Sequence, residues 1–208
     1  MTLMKTFLLH TCCGPCGAYV IQELQSRGFQ VTAFFYNPNI YPKKEYEKRK
    51  NEIEKYCLQK GVEFVEGEYE HNKWLELLIK RLKLDCPAAL EPSNSFADTM
   101  ELLGAKFTEG GKRCEACFRI RLKKSAEYAV QNNYQYFGTT LTISPHKNSQ
   151  KINNIGQDLG NKYKIKFYSE DWKKNDGFKK SCQLSKKYNF YRQNYCGCEF
   201  SIQNTKHK

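Results

Sequence analysis

Apolar positions along the chain follow two alternating rhythms. Short β-branched and aromatic runs are separated by longer stretches in which apolar positions recur every three or four residues. Thr6–His10 reads as a buried strand. Across Gly17–Arg27, Val20, Ile21 and Leu24 share one helical face, and Gly28 suits a C-terminal stop. Gln30–Phe35 predicts a second strand, and Asn37–Pro42 a loop. Lys43–Lys60 is charged, with Tyr46, Ile53, Tyr56 and Cys57 as its sparse apolar positions, so a partly exposed helix ending at Gly61 is expected. Val62–Val65 predicts a short strand, and Asn72–Leu84 a further helix.

Asp85–Lys112 breaks the rhythm, with two prolines, Ser93-Asn-Ser95 and Gly110-Gly111. Its core, 84–108, reads as an insertion or lid with a short helix around Ala97–Leu103. Regularity returns with a helix over Cys114–Asn132, a strand over Tyr134–Thr140 and a helix over Asn148–Tyr163. A strand over Ile165–Tyr168 and a helix over Phe178–Lys187 follow, then the cysteine-bearing tail Tyr188–Ser201. Strands alternating with helices predict one α/β domain over 1–208, a mostly parallel sheet with helices on both faces.

Composition narrows the chemistry. The 208 residues are 40% apolar, enough for a core. No apolar run approaches the ~20 residues of a membrane span. The N-terminus lacks the pattern of a signal peptide, so a soluble cytoplasmic protein is expected. Ten cysteines in that setting point to metal binding or redox chemistry rather than to a disulfide scaffold. A formal net charge of +12 favours nucleic acid as partner.

Seven of the ten cysteines lie in three clusters. Cys13-Gly-Pro-Cys16 has the sequence of a thioredoxin active site, yet Cys12 sits beside it and two further clusters would go unused. Cys114-x-x-Cys117 opens a helix, a spacing that aims two thiolates at one metal. Together with Cys12 and Cys13 it makes four thiolates, a set for zinc or an iron–sulfur cluster. The adjacent Cys12–Cys13 pair, unusual for structural zinc, tilts the choice toward a cluster. Cys196-Gly-Cys198 is too tight for a zinc knuckle; it suits a labile disulfide or thiolates for a second metal, which Cys16 could also ligate. Cys57, Cys86 and Cys182 stand alone and read as small hydrophobes.

Thr139-Thr-Leu-Thr142 follows a strand, where the carboxyl edge of a parallel sheet carries its site; Thr139, Thr140 and Thr142 are candidate substrate-binding residues. Between Lys162 and Arg192 ten Lys/Arg face three carboxylates, with eight aromatic residues interleaved. Cations that bind phosphates and rings that stack on unpaired bases suit RNA, and Tyr191 and Arg192 are candidate substrate-binding residues. The basic, aromatic segment is taken as 162–208.

Four ordered motifs resemble one family. His10-Thr-Cys-Cys-Gly-Pro-Cys16, Glu109-Gly-Gly-Lys-Arg-Cys-Glu-Ala-Cys-Phe-Arg-Ile-Arg-Leu122, Thr139-Thr-Leu-Thr-Ile-Ser-Pro145 and Tyr191-Arg-Gln-Asn-Tyr-Cys-Gly-Cys198 are similar to the QueH-type epoxyqueuosine reductases, from residue 7 to residue 201. The resemblance implies a Rossmann-like (HUP-like) sheet related to the PP-loop superfamily, with thiols where relatives grip a phosphate. It implies a 4Fe–4S cluster and reduction of the epoxide of epoxyqueuosine in tRNA by electrons from an external donor. Carried over by motif, the cluster ligands are Cys12, Cys13, Cys114 and Cys117. Cys196 and Cys198 are a redox-active catalytic pair, or ligands with Cys16 of an additional mononuclear iron. The 84–108 stretch, with Cys86, departs from the family's expected length. Tyr191, Tyr195 and His10 are equal candidates for proton donor. The competing readings are a zinc-stabilised RNA-binding module without catalysis and a thioredoxin-like thiol–disulfide reductase.

Overall fold

Five strands pair side by side, each parallel to its neighbour, in a computed structural model that describes residues 4–82 and 109–202. They are β1 (Lys5–His10), β2 (Phe29–Phe35), β3 (Glu63–Glu66), β4 (Tyr136–Thr139) and β5 (Lys166–Phe167), in the order β3-β2-β1-β4-β5. Phe7, Leu8 and Leu9 are fully buried, so β1 is apolar on both sides and takes the centre of the sheet. The chain runs outward from β1 to β3, then crosses to β4 on the other side of β1. That reversal opens a crevice at the carboxyl ends of β1 and β4, where doubly wound sheets bind ligands.

Helices cover both faces, as the alternation of elements predicts. Phe7 and Leu9 of β1 point into a core shared with α1 (Gly14–Ser26) and α2 (Lys43–Lys60), against which α6 (Gly177–Lys187) packs Leu184. Leu8 points the other way, into a core with Phe118 and Leu122 of α4 (Lys112–Gln131) and Ile152 and Leu159 of α5 (Ser149–Tyr163). A third cluster joins Trp74 and Leu78 of α3 (His71–Leu82) to Cys117, Ile120, Cys198 and Phe200, the last on the short α7 (Glu199–Ile202).

Four helices begin earlier than periodicity predicts, and two of the shifts matter for the site. The first starts at Gly14 rather than Gly17, which puts Pro15 and Cys16 in its first turn. Proline is well placed there, because its missing N–H has no intrahelical acceptor to lose. Helix α4 starts at Lys112, with Gly111 as its N-cap. The predicted insertion 84–108, its short helix and Cys86 lie outside the described residues. Among the described residues no helix is long and apolar enough to cross a membrane.

Candidate metal centre

The first thiols emerge where β1 ends. The Thr11 N–H donates to Phe34 O at 2.9 Å and Asn37 Nδ2 donates to Thr11 O at 2.8 Å, pinning the turn between β1 and α1. The Sγ atoms of Cys12, Cys13 and Cys16 lie within 4.8 Å of one another. The second pair stands on the first turns of α4. Cys114 and Cys117 are three residues apart and so share a helix face. The Gly110 N–H donates to Cys114 Sγ at 3.3 Å. The third pair flanks Gly197, whose φ of 123° requires a residue without Cβ. This tail is clamped: the Tyr41 N–H donates to Gly197 O at 2.8 Å, and Arg49 donates to Cys196 O at 3.1 Å and Tyr195 O at 3.3 Å.

One side chain ties the second and third pairs together. Arg113 donates to Cys198 Sγ at 3.1 Å and to Cys114 Sγ at 3.8 Å. Cys117 and Cys198 share the apolar cluster around Trp74, while Cys12, Cys13 and Cys114 share the core beneath β1. The Cys196 sulfur acts electrostatically on Cys114, Cys117 and Cys198. All seven thiols therefore belong to one neighbourhood. None of the described cysteines is in a disulfide. Cys114 and Cys117 do not join the 4.8 Å group of Cys12, Cys13 and Cys16.

Crowding sets the acidity of the thiols. The neighbouring Cys13 and Cys16 thiols hold Cys12 well below the usual thiol range, and Cys12 in turn pushes Cys13 up to about 12 and Cys16 well above the ordinary value. Burial pushes Cys117 up to about 11 and Cys198 up to about 12. A bound metal ion reverses this order, since its charge ionises every thiol that ligates it. The donors are soft sulfurs, which select zinc, iron–sulfur clusters and related metals. Arg113 and Arg121, 3% and 2% exposed, each leave a buried Nε without an acceptor among the described residues. Orphaned cationic donors beside grouped thiols fit an anionic, thiolate-ligated metal centre.

Beside the thiols lies a cleft of about 710 Å³. Cys12, Cys16 and Cys196 line it, together with Arg49, Lys147 and Arg192. Residues 7–87 and 77–204 match the family profile described as Epoxyqueuosine reductase QueH. The chain belongs to the epoxyqueuosine reductase QueH family. Proteins named Epoxyqueuosine reductase QueH from Staphylococcus epidermidis and Thermotoga maritima are each 36% identical to it. The first alignment covers 93% of this chain and 75% of the relative, the second 96% and 91%. The Streptococcus pyogenes protein of the same name is 35% identical over 206 residues, 96% of this chain and 71% of its own.

In this QueH-family chain the three threonines have different places. Thr140 lines the cleft, its Oγ1 3.8 Å from Cys12 Sγ. Thr142 is buried, its hydroxyl without a partner among the described residues. Thr139 uses its hydroxyl inside the protein, against His10 Nδ1 at 2.9 Å and as acceptor from the Leu141 N–H. His10 is fully buried, which lowers its pKa to about 3. The neutral ring donates from Nε2 to Tyr36 O at 3.2 Å and accepts from Thr139. It ties the end of β1 to Thr139 of β4 and to Tyr36, the residue after β2, and is not among the described residues that line the cleft.

Arg192 and Tyr195 line the cleft; Tyr195 also donates to Tyr41 O at 2.6 Å. Tyr191 lies to one side, its hydroxyl donating to Glu45 Oε2 at 3.0 Å. The sequence reading missed the cations Arg49, Arg113, Arg121 and Lys147. Arg113 and Arg121 were visible in the Cys114 motif, but nothing local tells an inward arginine from a solvated one.

Proposed function

We propose that this chain reduces the epoxide of epoxyqueuosine in tRNA to the alkene of queuosine. Both carbon–oxygen bonds of the epoxide break, a carbon–carbon double bond forms, and the oxygen leaves as water. The balance is two electrons from an external donor and two protons. The observation that carries this reading is the grouping of three separated thiol motifs beside a cleft at the switch point, in a chain of this family.

The proposed ligands of a 4Fe–4S cluster are Cys12, Cys13, Cys114 and Cys117. Cys16, Cys196 and Cys198 are proposed for a second iron, with Cys196 and Cys198 as a redox-active pair the variant of that reading. Cys16 is within 4.8 Å of Cys12 and Cys13, which supports two adjoining metal sites rather than two distant ones. When bound, such iron supplies single-electron transfer and a Lewis acid for oxygen. The chain's own residues supply the rest. Arg49, Arg113, Arg121 and Lys147 offset thiolate charge; Thr140 and Arg192 face the substrate across the cleft; Thr139 acts through His10 and the turn after β4. Tyr195, at the cleft wall, is the better placed of the two tyrosines to reach substrate. The cytoplasm is the compartment that this substrate implies.

The test is anaerobic. Reconstituted protein is incubated with epoxyqueuosine-containing tRNA and a low-potential reductant, and the nucleosides are analysed by mass spectrometry. Queuosine is expected; persistence of the epoxide overturns the activity. Iron and sulfide analysis is read on the same sample. A colourless protein holding zinc alone would instead indicate a zinc-stabilised RNA-binding module. Cys114→Ser is expected to lose both iron and turnover.

A further inference from the structure

The segment 162–192 interleaves eight aromatic residues with its lysines, and the sequence treats them alike. The fold does not. Phe167, Tyr168 and Trp172 pack into the two main cores. Tyr188 and Phe190 pack on the core against Tyr56. Tyr163 donates to Glu127 at 2.8 Å, and Tyr191 to Glu45. Phe178 is left. It is 39% exposed, it stands on the first turn of α6, and it lines the thiol cleft. Among the described residues its ring stacks on no other ring. Lys179 and Lys180 follow it, both exposed.

We infer that Phe178 is the stacking platform for the base that flanks the modified nucleotide at the mouth of the cleft. The inference rests on the tRNA reading above. A cleft of about 710 Å³ is the size of a site for one small ligand. It holds a nucleotide, not an anticodon loop, so the modified base must leave the stack to reach the thiols. Extrusion strips the neighbouring base of its stacking partner, and that base remains at the rim. An exposed aromatic ring at the rim restores the lost contact in a sequence-tolerant way, because every base has a π-face. Lys179 and Lys180 are exposed next to it in the chain, free to meet backbone phosphates, and Arg192 lines the same cleft. An exposed ring followed by two exposed lysines is the arrangement expected of a single-stranded RNA grip rather than of a protein contact.

The experiment measures binding of an anticodon stem-loop RNA with ordinary guanosine at the modified position. The metal-loaded protein is compared with its Phe178→Ala, Phe178→Leu and Phe178→Trp variants across a salt series. The Ala and Leu variants are expected to raise Kd by about 5-fold or more, and the Trp variant to stay near the parent. The slope of log Kd against log salt is expected to stay the same, since no phosphate contact is removed. Equal iron content shows that the thiol site is intact. Unchanged Kd in the Ala and Leu variants overturns the platform, as does a Trp variant as weak as Ala, or a parent protein that does not bind this RNA. The RNA carries no epoxide, so a stacking loss supports the platform even where the reductase assay fails. A reductase assay that succeeds alongside an unchanged Kd sinks the platform and leaves the activity standing.

Discussion

The Arg113 guanidinium is 3% exposed and touches two sulfurs from different parts of the chain, those of Cys114 and Cys198. Burial disfavours its charge, but the neighbouring thiols more than compensate and keep it protonated. Its positive charge and N–H···S contacts favour the more negative, reduced state of any cluster held there. Arg113→Leu removes both and is expected to lower the reduction midpoint by on the order of 50–100 mV, the Coulomb effect of one charge at several ångströms and an effective dielectric near 20. A potentiometric titration followed by electron paramagnetic resonance checks this. A midpoint equal to that of the parent protein would show that Arg113 does not act on the cluster. At this scale the sequence is legible for the thiols and silent for the cations. A cysteine pair at fixed spacing carries its chemistry in its identity, whereas an arginine takes its role from what surrounds it.

Elements were readable in type and order, and their edges less so. Apolar periodicity locates the middle of a helix, while the first turn is set by backbone chemistry: Pro15 inside α1 and Gly111 as the cap of α4. The shift is consequential, since it puts Cys16 on the helix that Cys13 caps. Close packing between elements was not visible either. Gly160, near the end of α5, would carry a Cβ 2.8 Å from Ile165 O and 3.3 Å from Phe167 N, backbone atoms at β5 that cannot rotate away. Gly160→Ala is therefore expected to destabilise the fold by about 1–3 kcal/mol. For a chain of this size that corresponds to a fall in Tm of roughly 2–12 °C. Thermal unfolding followed by circular dichroism measures it, and an unchanged Tm would mean that α5 does not approach β5 so closely.

Across the whole molecule the excess of twelve positive charges is unevenly engaged. Arg27 pairs with Glu170, Lys50 with Glu47 and Glu66, and Lys173 with Asp171. Lys147 and Arg192 line the cleft together with Arg49, itself paired with Glu45 at 2.7 Å, and Glu109 is the one carboxylate residue among the described lining. A polyanion is the partner this distribution suits. If tRNA is that partner, its affinity is expected to fall about 10- to 100-fold between about 50 and 200 mM salt through counterion release. Filter binding across a salt series checks it, and a flat profile would remove the electrostatic argument for RNA.

By itself the sequence determined the order of strands and helices, the parallel α/β class and the three thiol motifs. Each of these is written in local signals: period, turn residues and ligand spacing. The tertiary structure decided which groups meet. Thr140 lies 128 residues from Cys12, Arg113 85 from Cys198, and Arg49 147 from Cys196, and each pair is in contact. Such contacts follow from placing β1 between β2 and β4 and from packing both faces of the sheet at once. The same packing decided which of eight similar aromatic rings, Phe178, was left facing out. Burial is a property of the assembled layers, and no single stretch of sequence contains it.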